Sequence, residues 1–113
     1  MNGKSGQSEV IDIPSIVEAC SEKWCNMNLS QVNDSLVRLG VFEGEFHWHH
    51  HDNEDEFFYV ISGRLLLDLQ GGTVEIGQNQ AYTVPKGVEH RTRADERAVV
   101  LMVETDTVNP KGD

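Results

Sequence analysis

Three imidazoles and a carboxylate are the groups in this chain best suited to chemistry: His49, His51, Glu56 and, far downstream, His90. They fall in GEFHWHHHDNEDEFFYVISG (44–63) and PKGVEH (85–90). Imidazole nitrogen with carboxylate oxygen suits one divalent transition metal, Fe, Mn, Ni, Co, Cu or Zn, and disfavours Mg and Ca. Four such donors leave an octahedral ion room for a bidentate substrate, or for water and one further donor. The ligands bind deprotonated, so affinity should fall as the histidines protonate below about pH 6. Glu56, if it leaves the ion, is the candidate catalytic general base. Nucleophilic Ser or Cys catalysis has no support, because the chain carries no G-x-S-x-G elbow, phosphate-cradling loop or dinucleotide fingerprint.

Whether these groups can meet is a matter of strand geometry. Alternate side chains of a strand share a face, so an extended 45–51 puts His47, His49 and His51 on one side and Trp48 and His50 on the other. His49 and His51 are then roughly 6–7 Å apart along the backbone, close enough to converge on one ion. A polar turn over 52–55 returns Glu56 on the neighbouring strand. A register built on His47, His49 and Glu54 competes; the first set leaves room for the turn and places Glu56 at the start of an apolar strand. His90 can join only if the sheet closes on itself, as a rolled β fold does.

The remaining sequence supplies such a sheet. Strands are predicted over 36–42, 45–51, 56–61, 64–69, 73–76, 80–84, 89–93 and 98–104, punctuated by Gly and Pro. Pro14 suits the first turn of a helix, and Ile16, Val17, Cys20 and Trp24 follow at helical spacing, which predicts one short helix over 14–24. The alternation in 9–13 predicts a further short strand. One helix cannot provide the crossovers of a parallel sheet, so the fold class is all-β, a sandwich or barrel with one short N-terminal helix. A polar, Gly/Ser-rich 1–8 reads as a disordered tail and 9–113 as a single domain.

At this point the residues resemble the cupin superfamily, in its small single-domain form. The first cupin motif, G-x5-H-x-H-x3,4-E-x6-G, is matched by His49-x-His51-x4-Glu56-x6-Gly63, with Glu43 where the leading glycine would stand. The second, G-x5-P-x-G-x2-H-x3-N, is matched by Pro85-x-Gly87-x2-His90, with Asn79 and Ala94 at the outer positions. Asn79 is a mild change, since Asn tolerates the left-handed region; Ala94 removes a polar neighbour of the ligands. The runs VNDSLVRLGVFEGEFHWHHH, EDEFFYVISG and VPKGVEHR look like short bacterial cupins that carry a mannose-6-phosphate-isomerase-like label. The resemblance spans roughly 25–113 and implies a double-stranded β-helix, or jelly-roll barrel, with His49, His51, Glu56 and His90 as metal ligands and frequent homodimers. One fold hosts many reactions, so it leaves the chemistry open.

Composition narrows the partners. Asp and Glu outnumber Lys and Arg by 19 to 9 over 113 residues, a formal charge of −10. Such a surface repels nucleic acid and anionic lipid, so the expected partner is a small-molecule substrate or ligand, with no nucleic acid and no membrane. No apolar run reaches membrane-helix length, and the N-terminus lacks a signal-peptide core, which makes the cytoplasm the default. Cys20 and Cys25 are then expected as free thiols. An acidic protomer with aromatic and apolar residues on its outer sheet predicts a homodimer, with 9–13 a candidate for pairing across the interface. The expected function is that of a metal-dependent enzyme on a small organic molecule, of dioxygenase, isomerase or decarboxylase type. A non-catalytic metal or ligand-binding module is the alternative. A sugar-phosphate isomerase needs clustered cations, which so few Lys and Arg supply poorly; Arg91 and Arg93, flanking the His90 strand, are the best candidates to meet an anion. His47 is a candidate extra ligand, a proton shuttle or a histidine pairing with Glu45 or Glu56, and His50 should point away.

Overall fold

The computed structural model describes residues 8–112. Helix α1 (Ile13–Ala19) is followed by seven strands: β1 (Trp24–Val32), β2 (Ser35–Glu45), β3 (Glu56–Ser62), β4 (Leu65–Leu69), β5 (Gly72–Ile76), β6 (Ala81–Val84) and β7 (Arg91–Thr105). All the pairings are antiparallel, in the order β1-β2-β7-β3-β6, with β4 joining β5 to β7. The result is the jelly-roll, double-stranded β-helix expected from the motifs.

Strand β7 organises the molecule. It pairs along most of its length with β2, and on its other edge first with β4 through Arg91–Arg93 and then with β3 through Val99–Val103. One strand thus serves both ends of the roll, which is why the predicted strands 89–93 and 98–104 are a single element. The exposed Asp95–Arg97 stretch between them marks where β7 passes from β4 to β3. Gly63 is required at the β3–β4 turn: its φ is +83°, and a Cβ there would lie 2.7 Å from the Arg97 carbonyl oxygen. Asn79 sits at φ +66°, in the left-handed region that the glycine of the motif would occupy.

Period-two alternation sorts the apolar residues to two faces. Phe58, Val60, Leu65, Leu67, Val84, Val100 and Met102 fill the barrel interior. Leu39, Val41, Val99 and Leu29 face outward and are covered by Ile13, Ile16 and Val17 of the helix segment. β2 is buried on both faces from Arg38 to Phe42.

Several sequence-based expectations change. The helix stops at Ala19 instead of reaching Trp24, and Pro14 lies in its first turn as predicted. Trp24 opens β1, a strand the sequence did not announce because its polar Asn26, Asn28, Ser30 and Gln31 break any long apolar run. Residues 9–12 form no strand and Ile13 enters the helix, so 9–13 offers no strand for cross-dimer pairing. The 45–51 strand is not formed either: β2 ends at Glu45, and beyond it only His49 makes a β-bridge. Cys20 and Cys25 are joined in a disulfide, not left as thiols. The early helix end is the reason, since the turn from α1 into β1 brings their Cα atoms to 6.5 Å, within disulfide range. Among the described residues, no helix is long and apolar enough to cross a membrane.

Candidate metal centre

The segment after β2 lies against the segment before β7 and brings the two motifs together. The His49 N–H donates to the His90 carbonyl (3.0 Å) and the His90 N–H to the His49 carbonyl (2.9 Å). On either side, the Phe46 N–H donates to the Thr92 carbonyl and the Gly87 N–H to the His51 carbonyl. The backbone is extended enough to keep the predicted alternation at His49 and His51, although it is not a regular strand. Glu56 enters at the first residue of β3, with Phe58 and Val60 following it on the inward face as expected.

One ligand atom from each of His49, His51, Glu56 and His90 lies within 4.8 Å of the others. All four residues are buried, from 1% exposed at His90 to 7% at His49. Glu56 Oε1 is 3.1 Å from His90 Nε2 and 3.3 Å from His51 Nε2. The ring centroids of His49 and His90 are 4.4 Å apart. The sequence-predicted set therefore converges, and the competing His47–His49–Glu54 register does not.

The donor atoms fit a cation for a reason visible in the hydrogen bonds. His49 Nδ1 is 2.9 Å from the His47 carbonyl and His90 Nδ1 is 2.9 Å from the Val88 carbonyl. A carbonyl only accepts, so both Nδ1 atoms carry the proton and both Nε2 atoms present a lone pair inward. In the neutral ring, His90 Nε2 and the Glu56 oxygen would then be two acceptors face to face. A proton or a metal ion between them removes the conflict, and a metal satisfies all four groups together.

Burial is the largest influence on Glu56 and would raise its pKa; the hydrogen bonds and charge of His51 and His90, which act when those rings also carry a proton on Nε2, oppose it and win, lowering it to about 2. Burial, the largest cause, also lowers the pKa of His49 below its ordinary value, so the ring favours the neutral, metal-binding form.

Other candidates fall outside the centre. His47 is exposed, its Nε2–H donating to the Lys111 carbonyl at 2.6 Å, and it serves His49 only through its backbone oxygen. His50 points away as expected, between Asp52 and Glu89, and its pKa is raised chiefly by the hydrogen bond to Glu89. Glu54 is buried and accepts from the Thr107 hydroxyl. Arg91 and Arg93 do not reach the pocket: both bind Asp68, whose pKa they hold well below the carboxylate range, Arg93 contributing most. Arg91 also lies over the Trp48 ring, at 5.4 Å.

The sequence reading missed the rest of the pocket. Arg38 and Glu104 point into the barrel and form a buried ion pair. Burial, then the charge of Glu56, pushes the Glu104 carboxyl up to about 7 against the pull of Arg38. A usable signal existed: Arg38 shares an alternation phase with Leu36 and Phe42, a charge on an otherwise apolar face. Trp24, Phe42 and Phe46 stack into an aromatic wall, with centroids 4.4 Å apart for Trp24–Phe42 and 5.4 Å for Trp24–Phe46. Phe46 meets His49 edge-on at 5.3 Å. The C-terminal segment closes the mouth: Pro110 lines the cavity, and a Cβ on Gly112 would lie 2.4 Å from that of His49. The free space at the ligands is about 30 Å³, close to one water molecule.

A family model and a similar solved structure carry the cupin description, and further relatives share sequence or fold. A family model described as "Cupin domain" matches residues 35–104. The protein YdbB of Bacillus subtilis (strain 168) is 43% identical over 98 residues, 86% of this chain and 87% of that one. A cupin-2 domain containing protein from Shewanella frigidimarina superposes with a TM-score of 0.81 at 30% identity, covering 85% of this chain and 94% of that one. The protein NMB1881 from Neisseria meningitidis shares the fold at a TM-score of 0.76 and 23% identity, over 87% of this chain and 100% of that one.

Proposed function

The chain belongs to the cupin family, and on that premise we propose that it is a mononuclear metal-dependent enzyme acting on a small organic molecule. The observation that carries this reading is the buried convergence of His49, His51, Glu56 and His90, with two Nε2 lone pairs fixed inward by backbone carbonyls. A divalent transition ion held by these groups would supply Lewis acidity to an oxygen donor of the substrate, consistent with dioxygenase, isomerase or decarboxylase chemistry. The chain's own residues do the positioning. Carbonyls of His47 and Val88 hold the two imidazoles in one tautomer, and Phe58, Met102 and the aromatic wall keep bulk water from them. Glu56, the one carboxylate among the four converging groups, is the candidate to take or return a proton.

A panel of carbonyl, phenolic and sugar substrates, with oxygen uptake followed in parallel, tests the proposal. Turnover that depends on the metal and disappears in Glu56→Gln is expected. Saturable binding that raises the melting temperature with no product across the panel would instead favour a binding module.

We also propose a homodimer formed on the apolar groove where Ile13, Pro14 and Val17 of α1 face Ile61, Val99 and Leu101. A monomer by light scattering at micromolar concentration would remove it. A cytoplasmic setting is proposed on the sequence grounds given above. The Cys20–Cys25 disulfide runs against it, because a reducing compartment keeps such pairs as thiols, so a free-thiol assay on freshly lysed cells tests compartment and bond together.

A further inference from the structure

A second concavity adjoins the metal cavity. It is a groove of about 380 Å³, within the range of small-molecule sites, and it shares Trp24, Asn26, Arg38, Phe46 and Pro110 with the inner cavity. Its remaining walls are Met27, Asn28 and Lys111. In a chain with 19 acidic and 9 basic residues, this lining holds two cations, two amides and no carboxylate. The one place where the path turns acidic is its inner end, where Glu56 belongs to the metal group.

Arg38 stands where groove and cavity meet. Its side chain is 5% exposed, and among the described residues its one ion-pair partner is Glu104, engaged through Nη1. A guanidinium offers five donors in a planar fork, so the Nε and Nη2 positions are left for a ligand. Lys111 forms no ion pair among the described residues. Trp24 and Phe46, stacked with their planes 10° apart, form an apolar wall shared by groove and cavity, and Phe46 meets His49 edge-on.

We infer that this groove selects a small organic anion, a carboxylate on a planar apolar body, with Arg38 and Lys111 recognising the charge and Trp24 and Phe46 the body. This rests on the reading of the adjoining cavity as the ligand site of a metal-dependent protein, and it specifies the substrate class of that site. The overall charge of −10 would repel an anion elsewhere on the surface, so the carboxylate-free lining acts as a local exception.

The test is calorimetric titration of untagged protein with benzoate and with benzamide, a neutral molecule of the same shape. The expected result for metal-loaded protein is benzoate binding at least about tenfold tighter than benzamide. The paired variant Arg38→Gln/Glu104→Gln keeps a neutral hydrogen-bonded couple inside the barrel. It should retain the metal, lose about tenfold in benzoate affinity and leave benzamide within about twofold. Lys111→Gln, at an exposed position, should weaken benzoate about two- to threefold and keeps the inference testable if the buried pair does not fold. Benzoate binding no tighter than benzamide, or unchanged in both variants, would overturn it. Repeating the titration on metal-free protein separates the two claims. A benzoate preference that persists there supports the groove even if the metal reading fails; a metal-loaded protein with no such preference leaves the metal reading standing and ends this one.

Discussion

The two ends of the barrel interior are built from the same strands and obey opposite rules. Along β3, Glu56 at one end gives way to Phe58 and Val60; along β7, Glu104 gives way to Met102, Val100 and Ala98. All these residues share the inward face, so period-two alternation alone would have made one continuous apolar core. The apolar end is complete within the chain: its side chains satisfy each other by contact. The polar end is not. Three histidines face a carboxylate, with His90 Nε2 and Glu56 Oε1 3.1 Å apart, and a buried oxygen on Glu54 and another on Glu104 have no hydrogen-bond partner among the described residues. The difference teaches that this end is arranged for something the polypeptide does not supply, and that stability and function can be damaged separately.

The sharpest way to break the comparison is to cut each end in turn. His90→Ala should abolish metal retention while costing the metal-free fold little, because it removes one of the groups that conflict with Glu56. Elemental analysis and a thermal melt read the two effects. Arg38→Met alone should be severe for the opposite reason, costing about 3–5 kcal/mol by leaving Glu104 buried without its cation. Arg38→Met/Glu104→Leu should recover most of that loss, and a double-mutant cycle by denaturant melts checks it. Leu67→Ala, at the apolar end and fully buried, should cost about 2–5 kcal/mol and leave metal content unchanged. If Leu67→Ala also emptied the site, the two ends would not be separable.

Acid should act on the polar end and, at lower pH still, on Asp68, whose carboxyl Arg93 and Arg91 hold ionised. The pKa of His49 is lowered by burial, so the unfolded chain takes up its proton more readily than the folded one. Stability from this group is present above its ordinary value of 6.5 and is lost as the pH falls from there through its lower folded value. Glu56, lowered from 4.5 to about 2, adds stability that is full above 4.5 and fades as the pH falls toward 2. Glu104, raised from 4.5 to about 7, acts in the opposite direction between those values, so the metal-free protein should melt progressively lower below about pH 4.5, and Glu56→Gln should flatten that part of the profile. The smallest effect expected is at the Cys20–Cys25 bond, whose short loop is worth about 2 kcal/mol on reduction. A thermal melt with and without reductant measures it.

The ligand end was legible in sequence because its signal is local. His49, His51 and Glu56 lie within eight residues, and Pro85, Gly87 and His90 within six, so strand alternation and one turn were enough to predict that they meet once the sheet rolls up. The pocket around them was not, since its residues come from remote stretches whose local patterns say little. Trp24 was assigned to a helix because Ile16, Val17 and Cys20 precede it at helical spacing, and only the turn at Cys20–Lys23 reveals that it opens β1. Glu104 reads as the polar end of an apolar strand until β7 is laid beside β2 and brings it to Arg38. The C-terminal segment, with Pro110 and Lys111 at the mouth, reads as a polar tail. The 45–51 segment erred in the other direction: the alternation was right, but only His49 pairs as a bridge, because the chain there must bend to face 87–92.

The central claim is that the polar end of the barrel is completed by one divalent transition metal. The most direct measurement is elemental analysis of untagged protein purified without a nickel column, since the HWHHH run could collect nickel by itself. The account predicts close to one metal per chain in the wild type and essentially none in His49→Ala or His90→Ala. Folded wild-type protein without metal that takes up none on dialysis against Fe, Mn, Co, Ni, Cu or Zn would contradict it, as would variants that retain the wild-type content.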